Sequence, residues 1–484
     1  MVTLLCGSVG AQQPGTPWAI RGATVIDGTG TPAGAGFVIL GVGERIACVG
    51  SEQACPIPGG ASVITAAGKW VVPGLIDTHV HLNWSDAGGA ARAQLVRFAF
   101  GITTTREAGT PGQLEANLSR RGPASLATAP EPRLVVSALV SEENEQTYRK
   151  NGAATLTRRL IALGADAIKI KREFDAEDLG SIVSEAHASG LPVFGHTWGP
   201  RGSNLGAALA AGIDGLAHMT TFSSFGDIGA SARQTAPDGI DYWVWTREQW
   251  NHQDETRLAS ARDLVVQLGV WVEPMLVTEK YFTLPYPVPE DARYLAAVPS
   301  VRQLVRPWVP IGSSGWPALR ERRRRIEAVY DHMCEFVKRF HAQGGIVVTG
   351  TDDVEPGPAL AEEVRLLRGC GLSAMAALRA ATQQAAGALG RADVGTVETG
   401  NLADLVILDA DPLADPENLR RVWRVVKGGH VYNPAVLLGP MIEWHQDQRR
   451  STWLSRALVA ALLFTAAASV LWWRRRSQSR GRLR

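Results

Sequence analysis

The sequence lacks the features that several common classes of protein require. Its five cysteines show no CxxC spacing, which excludes a zinc ribbon or a haem attachment motif and argues against metal binding by thiolates. Charged residues make up 20% of the 484 positions, and the net charge of +2 falls to −4 once the six arginines of the last eleven residues are set aside. The main body therefore has no evident basic face for nucleic acid, and we expect no nucleic-acid partner.

Two features bear on the compartment of the protein, and neither decides it. Residues 1–17 are signal-like, because they are small and apolar and residues 9–11 resemble a small-x-small cleavage site, yet the basic opening of a signal peptide is missing. A trimmed signal peptide and a loose terminus both remain open. Cys48 and Cys55 flank a short polar turn, where they could pair in an oxidising compartment or stay reduced and half-buried.

The pattern of the chain changes twice along its length. Residues 18–72 and 392–435 are β-rich and punctuated by glycine and proline, so together they predict a small β-sandwich domain. Residues 73–391 alternate strands with helices such as 176–189 and 320–342, which predicts a parallel sheet covered by helices. The strand count is that of an α/β fold of the (β/α)8 TIM-barrel type, with strands at 74–82, 102–108, 133–140, 167–171, 192–197, 215–219, 270–277 and 346–352.

The end of the chain carries an uncharged apolar run. It covers residues 457–473, so as a helix the run spans about 25 Å, a little short of the ~30 Å of a hydrocarbon core, and Trp453 and Leu454 extend it backwards. A buried core helix is the alternative, but arginines open the basic tail at 474–484 directly after it. The positive-inside rule then predicts a transmembrane helix at 453–473, a cytoplasmic tail, and a membrane-anchored body outside the cytoplasm, periplasmic in a bacterium.

The candidate functional residues stand where apolar strands end. His79 and His81 are two residues apart, so they share one face of a strand, and imidazole is the commonest protein ligand of zinc-like ions. Later strands end in further side chains that can bind a metal, in the order Lys169, His196, His218 and Asp352. Active sites of such barrels lie at the C-terminal ends of the strands, and we therefore expect the six side chains to meet.

This series resembles the binuclear-metal branch of the amidohydrolase superfamily, and within it the imidazolonepropionase-like and Xaa-Pro-dipeptidase-like members. The resemblance also rests on the phrases PGLIDTH at 73–79, GITTTR at 101–106, ADAIK at 165–169 and GNLADLV at 400–406. It extends over about residues 20–435.

The resemblance implies a site with two divalent ions, for which zinc is the expected metal. By this likeness His79 and His81 hold the buried ion, and His196 and His218 hold the exposed one. Lys169, carboxylated by CO₂, bridges both ions, although Lys171 is a competing candidate two residues on. Asp352 binds the first ion and carries the proton from the attacking water to the departing amine. The neighbouring Asp353 is expected in a supporting or solvent-exposed position.

The predicted function is metal-dependent hydrolysis of a C–N bond in an amide or peptide, with a dipeptide or an N-acyl amino acid as the leading substrate. Arg106 and Trp198 are the candidate substrate contacts, with Lys280 as another possible anion partner. His196-Thr197-Trp198 departs from the His-Ala-Tyr or His-Ala-His of many relatives, which leaves recognition of a substrate carboxylate open. The alternatives are a cyclic-amide hydrolase of the imidazolonepropionase type, a deaminase, and a catalytically silent, membrane-tethered binding protein.

Overall fold

The computed structural model describes most of the chain between residues 15 and 439. The described residues are 15–82, 87–141, 151–171, 174–196, 198–199, 202–203, 205–222, 247–281, 315–352 and 356–439.

The N-terminal segment forms five strands. They are β1 Pro17–Val25, β2 Gly34–Val42, β3 Arg45–Gly50, β4 Ser62–Thr65 and β5 Trp70–Pro73. β1 and β2 pair antiparallel, as do β2 and β3, whereas β4 and β5 run parallel to β1. Side chains such as Trp18 and Ile20 are buried in a core that these strands share with residues of the C-terminal segment, among them Leu405 and Ile407.

Seven parallel strands follow and make up the wall of a barrel. They are β6 Leu75–Val80, β7 Ile102–Glu107, β8 Arg133–Val140, β9 Ala167–Ile170, β10 Val193–Gly195, β13 Gly215–Ala217 and β14 Trp271–Glu273, with a small hairpin of β11 Trp198–Gly199 and β12 Gly202–Ser203 between the fifth and the sixth. Their spatial order is their chain order. The predicted parallel barrel with strands at these places is confirmed.

The eighth predicted strand, at 346–352, is only partly regular. Its backbone pairs with β14 through a bridge between Val272 and Val347, and the amide of Thr78 donates to the carbonyl of Thr349 at 3.0 Å, so this segment closes the barrel onto β6. The regular pairing with β6 stops at Thr349, because its backbone amide donates to the carbonyl oxygen of Ala380 at 3.1 Å and not to β6. The barrel thus has seven regular strands and one short closing segment rather than eight equal strands.

Helices connect and cover the strands. The α-helices are α1 Ala87–Ala99, α2 Leu114–Ser125, α3 Ala153–Ala162, α4 Ala176–Ala188, α5 Leu205–Ala211, α6 Glu255–Gln267, α7 Leu276–Tyr281, α8 Gly315–Ala342, α9 Pro358–Gly369, α10 Ala374–Ala380 and α11 Gln383–Ala388. Short 3₁₀ turns occupy Met219–Phe222, Gln249–His252 and Pro416–Arg420. Several starts are capped, as where the Asp254 carboxylate accepts the first free amides of α6. The helices predicted at 176–189 and 320–342 correspond to α4 and α8.

Alternation along the strands divides the barrel into two faces. Ile168 packs outward in one apolar cluster with helix side chains such as Ile182 and Phe340, and full burial of such a side chain contributes roughly 2 to 3 kcal/mol. Residues on either side of it point inward, since successive strand residues face opposite ways. Lys169 therefore lies on the inner face, as does Glu273 two residues after the interior Trp271.

The chain then returns to the N-terminal strands. The last strands are β15 Leu405–Leu408, β16 Val422–Lys427 and β17 His430–Tyr432, and the sheet order is β17-β16-β15-β5-β1-β2-β3 with β4 beside β1. These eight strands form one hydrogen-bonded sheet, where the sequence predicted a β-sandwich. Asp404 ties the sheet to the barrel, because its carboxylate accepts from Arg133 at 2.6 Å. The exact division into domains at 73 and 391 stays a prediction.

The predicted membrane anchorage is corrected by the structure. Within the residues given above, no helix is both long and apolar enough to cross a bilayer. The longest, α8, has 28 residues but contains the charged run from Arg320 to Arg325. The span predicted at 453–473, the tail at 474–484 and the first fourteen residues lie outside the described part of the chain. The prediction of a membrane-anchored, extracytoplasmic body is therefore not supported.

Two disulfides link cysteines in the structure. Cys48 pairs with Cys55 across the turn that follows β3, which is one of the two alternatives that the sequence left open. Cys334 of α8 pairs with Cys370 at the end of α9, a link that the sequence analysis did not anticipate.

Candidate metal centre

The barrel brings the predicted ligands to one end. His79 lies on β6 and His81 directly after it, Lys169 lies on β9, and His196 and His218 follow β10 and β13. Asp352 is the last residue of the closing segment. All these positions are at or beyond the C-terminal ends of parallel strands, so their side chains meet over the barrel mouth as the sequence predicted.

Three of these side chains form a tight cluster. One ligand atom each from His79, His81 and Asp352 lies within 4.8 Å of the others. The Asp352 carboxylate oxygen Oδ1 is 3.2 Å from Nε2 of His81 and 3.8 Å from Nε2 of His79. Two imidazoles and one carboxylate at this spacing are a donor set that fits a divalent ion.

Lys169 adjoins the cluster from β9. Its Nζ is 2.8 Å from Nε2 of His79, and the side chain is 1% exposed. Burial lowers the pKa of Lys169 to about 7, against the opposing effect of the Asp352 charge. Lys171, the competing candidate, is exposed, and its backbone amide continues the strand pairing to Val140. The geometry thus favours Lys169 over Lys171.

The other two candidate histidines extend the cluster: His218 stands next to His79, and His196 stands next to His218. The ring centroids of His196 and His218 are 4.2 Å apart, and those of His79 and His218 are 4.9 Å apart. Desolvation lowers the pKa of all three rings well below the usual value, with the Lys169 charge acting in the same direction. A neutral imidazole has a free nitrogen lone pair, which is the form that binds metals.

The Nδ1 atoms of His79 and His81, which point away from the cluster, each contact a hydrogen-bond acceptor. Nδ1 of His79 is 2.7 Å from Oε2 of Glu273, and Nδ1 of His81 is 3.2 Å from the Thr110 hydroxyl, which itself donates to Glu107. Such contacts place the proton on Nδ1 and direct the lone pair of Nε2 towards the inner side. This is the arrangement found around metal-bound histidines, and it supports a metal at this place.

A carboxylate below the cluster fixes the turn that carries Asp352. Asp77 accepts from the amide of Thr351 at 3.1 Å and from its hydroxyl at 2.6 Å. Burial raises the pKa of Asp77 to about 6, and the Arg97 charge opposes that rise. Asp352 itself has a positive φ of 46°, which aspartate tolerates better than most residues.

Sequence reasoning missed the buried carboxylates Glu273, Glu107 and Asp77, which are all at most 1% exposed. Burial raises the pKa of Glu273 to about 7, while Arg106 and the Thr78 hydroxyl pull it down. A signal for them exists: each carboxylate stands within a strand whose other positions are buried, where a charge needs a partner.

The predicted substrate contacts are placed differently. Arg106 is fully buried beneath the histidines, where it pairs with Glu273 at 2.8 Å, so its position favours support of the site over contact with substrate. Lys280 packs over the ring of Tyr330, 4.9 Å from its centroid. The backbone of Trp198 belongs to β11, but its side chain and all of Asp353 lie outside the described part.

Comparison with known proteins identifies the family. The model of the amidohydrolase family matches residues 70–432. The chain therefore belongs to that family, which confirms the resemblance drawn from its motifs. The predicted class, a hydrolase that acts on C–N bonds, agrees with this membership.

Individual relatives are more distant. The chain is 28% identical over 172 residues to an enamidase from Eubacterium barkeri, an alignment that covers 32% of this chain and 42% of that protein. The structure of a Xaa-Pro dipeptidase with bound methionine has a TM-score of 0.61 and 19% identity, over 86% of this chain and 100% of the other. The structure of molinate hydrolase has a TM-score of 0.61 and 19% identity, over 87% of this chain and 96% of the other. At such identities the structural likeness shows the fold alone.

Proposed function

We propose that this amidohydrolase uses a centre of two divalent ions to hydrolyse an amide or peptide bond, with a dipeptide or an N-acyl amino acid as the leading substrate class. One observation carries the proposal: Nε2 of His79 and of His81 converge on Oδ1 of Asp352, with Lys169 Nζ alongside. The Xaa-Pro dipeptidase among the structural neighbours supports the substrate class.

Five of the six side chains would divide between the two ions, and Lys169 would bridge both. His79, His81 and Asp352 would hold the buried ion, while His196 and His218 would hold the outer one. Nitrogen and carboxylate donors with open positions suit zinc, which we take as the expected metal. Bound there, the ions would lower the pKa of a water molecule and polarise the scissile carbonyl.

Lys169 has to change its charge to serve such a centre. An ammonium 2.8 Å from the ligand atom of His79 would repel a cation. Addition of the neutral amine to CO₂, with release of one proton, converts Nζ into a carbamate whose two oxygens can face two cations. The buried position of Lys169 among the histidines supports this role.

Asp352 would carry the proton. Its side chain is 13% exposed, whereas that of His79 is fully buried, which supports contact with both the metal centre and an incoming substrate. The carboxylate would accept a proton from the attacking water and return it to the amine that leaves. A second candidate, hydrolysis of a non-peptide amide such as a cyclic amide, is favoured by the match to an enamidase.

The proposal is tested by metal analysis and a turnover screen. Protein prepared with zinc and bicarbonate should contain about two ions per chain. Lys169→Met should lose metal and activity, whereas Lys171→Met, the matched change at the exposed lysine, should keep its metal. The screen compares dipeptides, N-acyl amino acids, cyclic amides and esters. Metal-free protein, or turnover of esters alone, would contradict the proposal.

A further inference from the structure

A buried junction lies directly behind His79. Glu273, at the end of β14, uses both of its carboxylate oxygens: Oε2 is 2.7 Å from Nδ1 of His79, and Oε1 accepts from Arg106 Nη2 at 2.8 Å and from the Thr78 hydroxyl. The side chains of His79, Arg106 and Glu273 are all 0% exposed. The junction thus joins the first, second and seventh strands across the inside of the barrel.

Arg106 cannot move away from this carboxylate. Its Nε donates to the carbonyl oxygen of Thr78 at 2.7 Å, and its guanidinium carbon lies 3.5 Å from the ring centroid of Phe194. The indole of Trp271 lies beyond, with its centroid 4.9 Å from the same carbon. A planar cation held by a hydrogen bond and by aromatic faces presents its donors in a fixed direction.

The fourth side of the junction is closed by Gly350. A Cβ at this position would lie 2.7 Å from the Cβ of His79 and 3.2 Å from Cδ of Glu273. The closing segment of the barrel therefore packs closely against both side chains and holds them together.

We propose that Glu273, aligned by Arg106, is a positioning residue that sets the tautomer of His79. A carboxylate held in this way accepts a hydrogen bond from Nδ1, so the proton resides there and the lone pair of Nε2 is directed at the metal centre. The role of that lone pair rests on the proposed function; the tautomer itself rests only on the junction. Loss of such an outer contact typically costs about 10- to 100-fold in metal affinity.

The geometry predicts an unusual result for Glu273→Gln. Arg106 and Thr78 both offer donors, so the new amide should turn its oxygen towards them and its NH₂ group towards His79. Nδ1 would then have to accept, which moves the proton to Nε2 and blocks the ligand atom. Affinity for zinc should fall about 10- to 100-fold.

The double variant Arg106→Met with Glu273→Gln should reverse most of this loss. Without the guanidinium the amide is free to turn its oxygen to His79, because the Thr78 hydroxyl can instead donate to the Thr349 carbonyl at 2.8 Å. If Glu273→Gln only disturbed packing, adding Arg106→Met should weaken zinc binding further. Recovery of zinc binding in the double variant would therefore distinguish the two explanations.

The experiment measures zinc affinity of the metal-free variants by chelator competition, and the His79 tautomer of metal-free protein by ¹⁵N NMR. Asp404→Asn is the matched control, because it alters another buried carboxylate that pairs with an arginine, Arg133 at 2.6 Å. It should lower the melting temperature but leave zinc affinity unchanged.

Three results would overturn the inference. They are wild-type zinc affinity in Glu273→Gln, a double variant that binds no better than this single variant, and a proton on Nε2 of His79 in the wild type. If Glu273→Gln does not fold, the double variant and the wild-type NMR measurement decide. Wild-type protein that binds no zinc but keeps the proton on Nδ1 would refute the proposed function and leave the positioning role of Glu273 standing.

Discussion

The backbone amide of Asp352 donates to the carbonyl oxygen of His79 at 2.9 Å, so the turn that carries the proposed proton carrier is fastened to the strand that carries the first ligand. A substitution at Asp352 can therefore remove its proposed proton transfer while the backbone of the turn stays in place. Asparagine also tolerates the positive φ of this residue, and the turn should survive the change.

Asp352→Asn is expected to lower kcat by about 100- to 10,000-fold, because the amide cannot accept the proton. Most of the metal and the melting temperature should be retained. Steady-state kinetics and elemental analysis of the same preparation check this. Turnover close to that of the wild type would show that the proton travels by another route.

Gly350→Ala should damage the site rather than only the fold. The added methyl group meets the Cβ of His79 at 2.7 Å, and both atoms belong to or adjoin the backbone, so one strand has to shift. We expect a lower melting temperature together with weaker zinc binding. The control is Gly369→Ala at the end of α9, where a Cβ meets nothing within 4 Å. Equal effects of the two variants would refute this interpretation.

Glu363 should make stability depend on pH. Burial raises its pKa from 4.5 to about 8, although the amides of Leu276 and Val277 donate to it and pull the value down. A raised pKa means that the folded state holds the proton more tightly. The contribution of the Glu363 proton to the free energy of unfolding is therefore complete below pH 4.5 and is lost as the pH rises to about 8.

Glu363→Gln removes this titration. The melting temperature of the wild type relative to the variant should fall steadily between about pH 5 and about pH 8, by an amount that corresponds to a few kcal/mol. Thermal melts of both proteins across that range measure it. A difference that stays constant with pH would contradict the expectation.

The two disulfides should contribute unequally. Cys334 and Cys370 are 36 residues apart and join α8 to α9, whereas Cys48 and Cys55 are only seven apart. In the chain-entropy account the longer loop constrains the unfolded state more. Cys334→Ser should therefore lower the melting temperature more than Cys48→Ser under oxidising conditions. With reductant present, the wild type and both variants should converge.

Much of the barrel could be predicted because its signals are local. Strands such as β9 and β10 are short apolar runs, and the polar residue that ends each run is visible in the sequence itself. The closing segment could not be predicted in the same way. Whether Thr349 continues a ladder depends on Ala380, which reaches it only after two further helices have packed.

The β unit shows the same limit. Its strands lie in the two segments that the sequence marks as β-rich, but whether they form one sheet or two depends on pairing between segments far apart, as between Val71 of β5 and Ile407 of β15. Register and sheet order are set by such long-range contacts and leave no mark on either segment alone.

The sequence by itself determined which side chains are candidates for the chemistry, because spacing and apolar runs are properties of neighbouring residues. His79 and His81 had to share a face, and Lys169 had to point away from Ile168. Only the tertiary structure decided which atoms of these side chains face the site. The partner that orients His79 is Glu273, 194 residues later in the chain. Burial of both in one barrel is what makes their hydrogen bond strong and its loss costly.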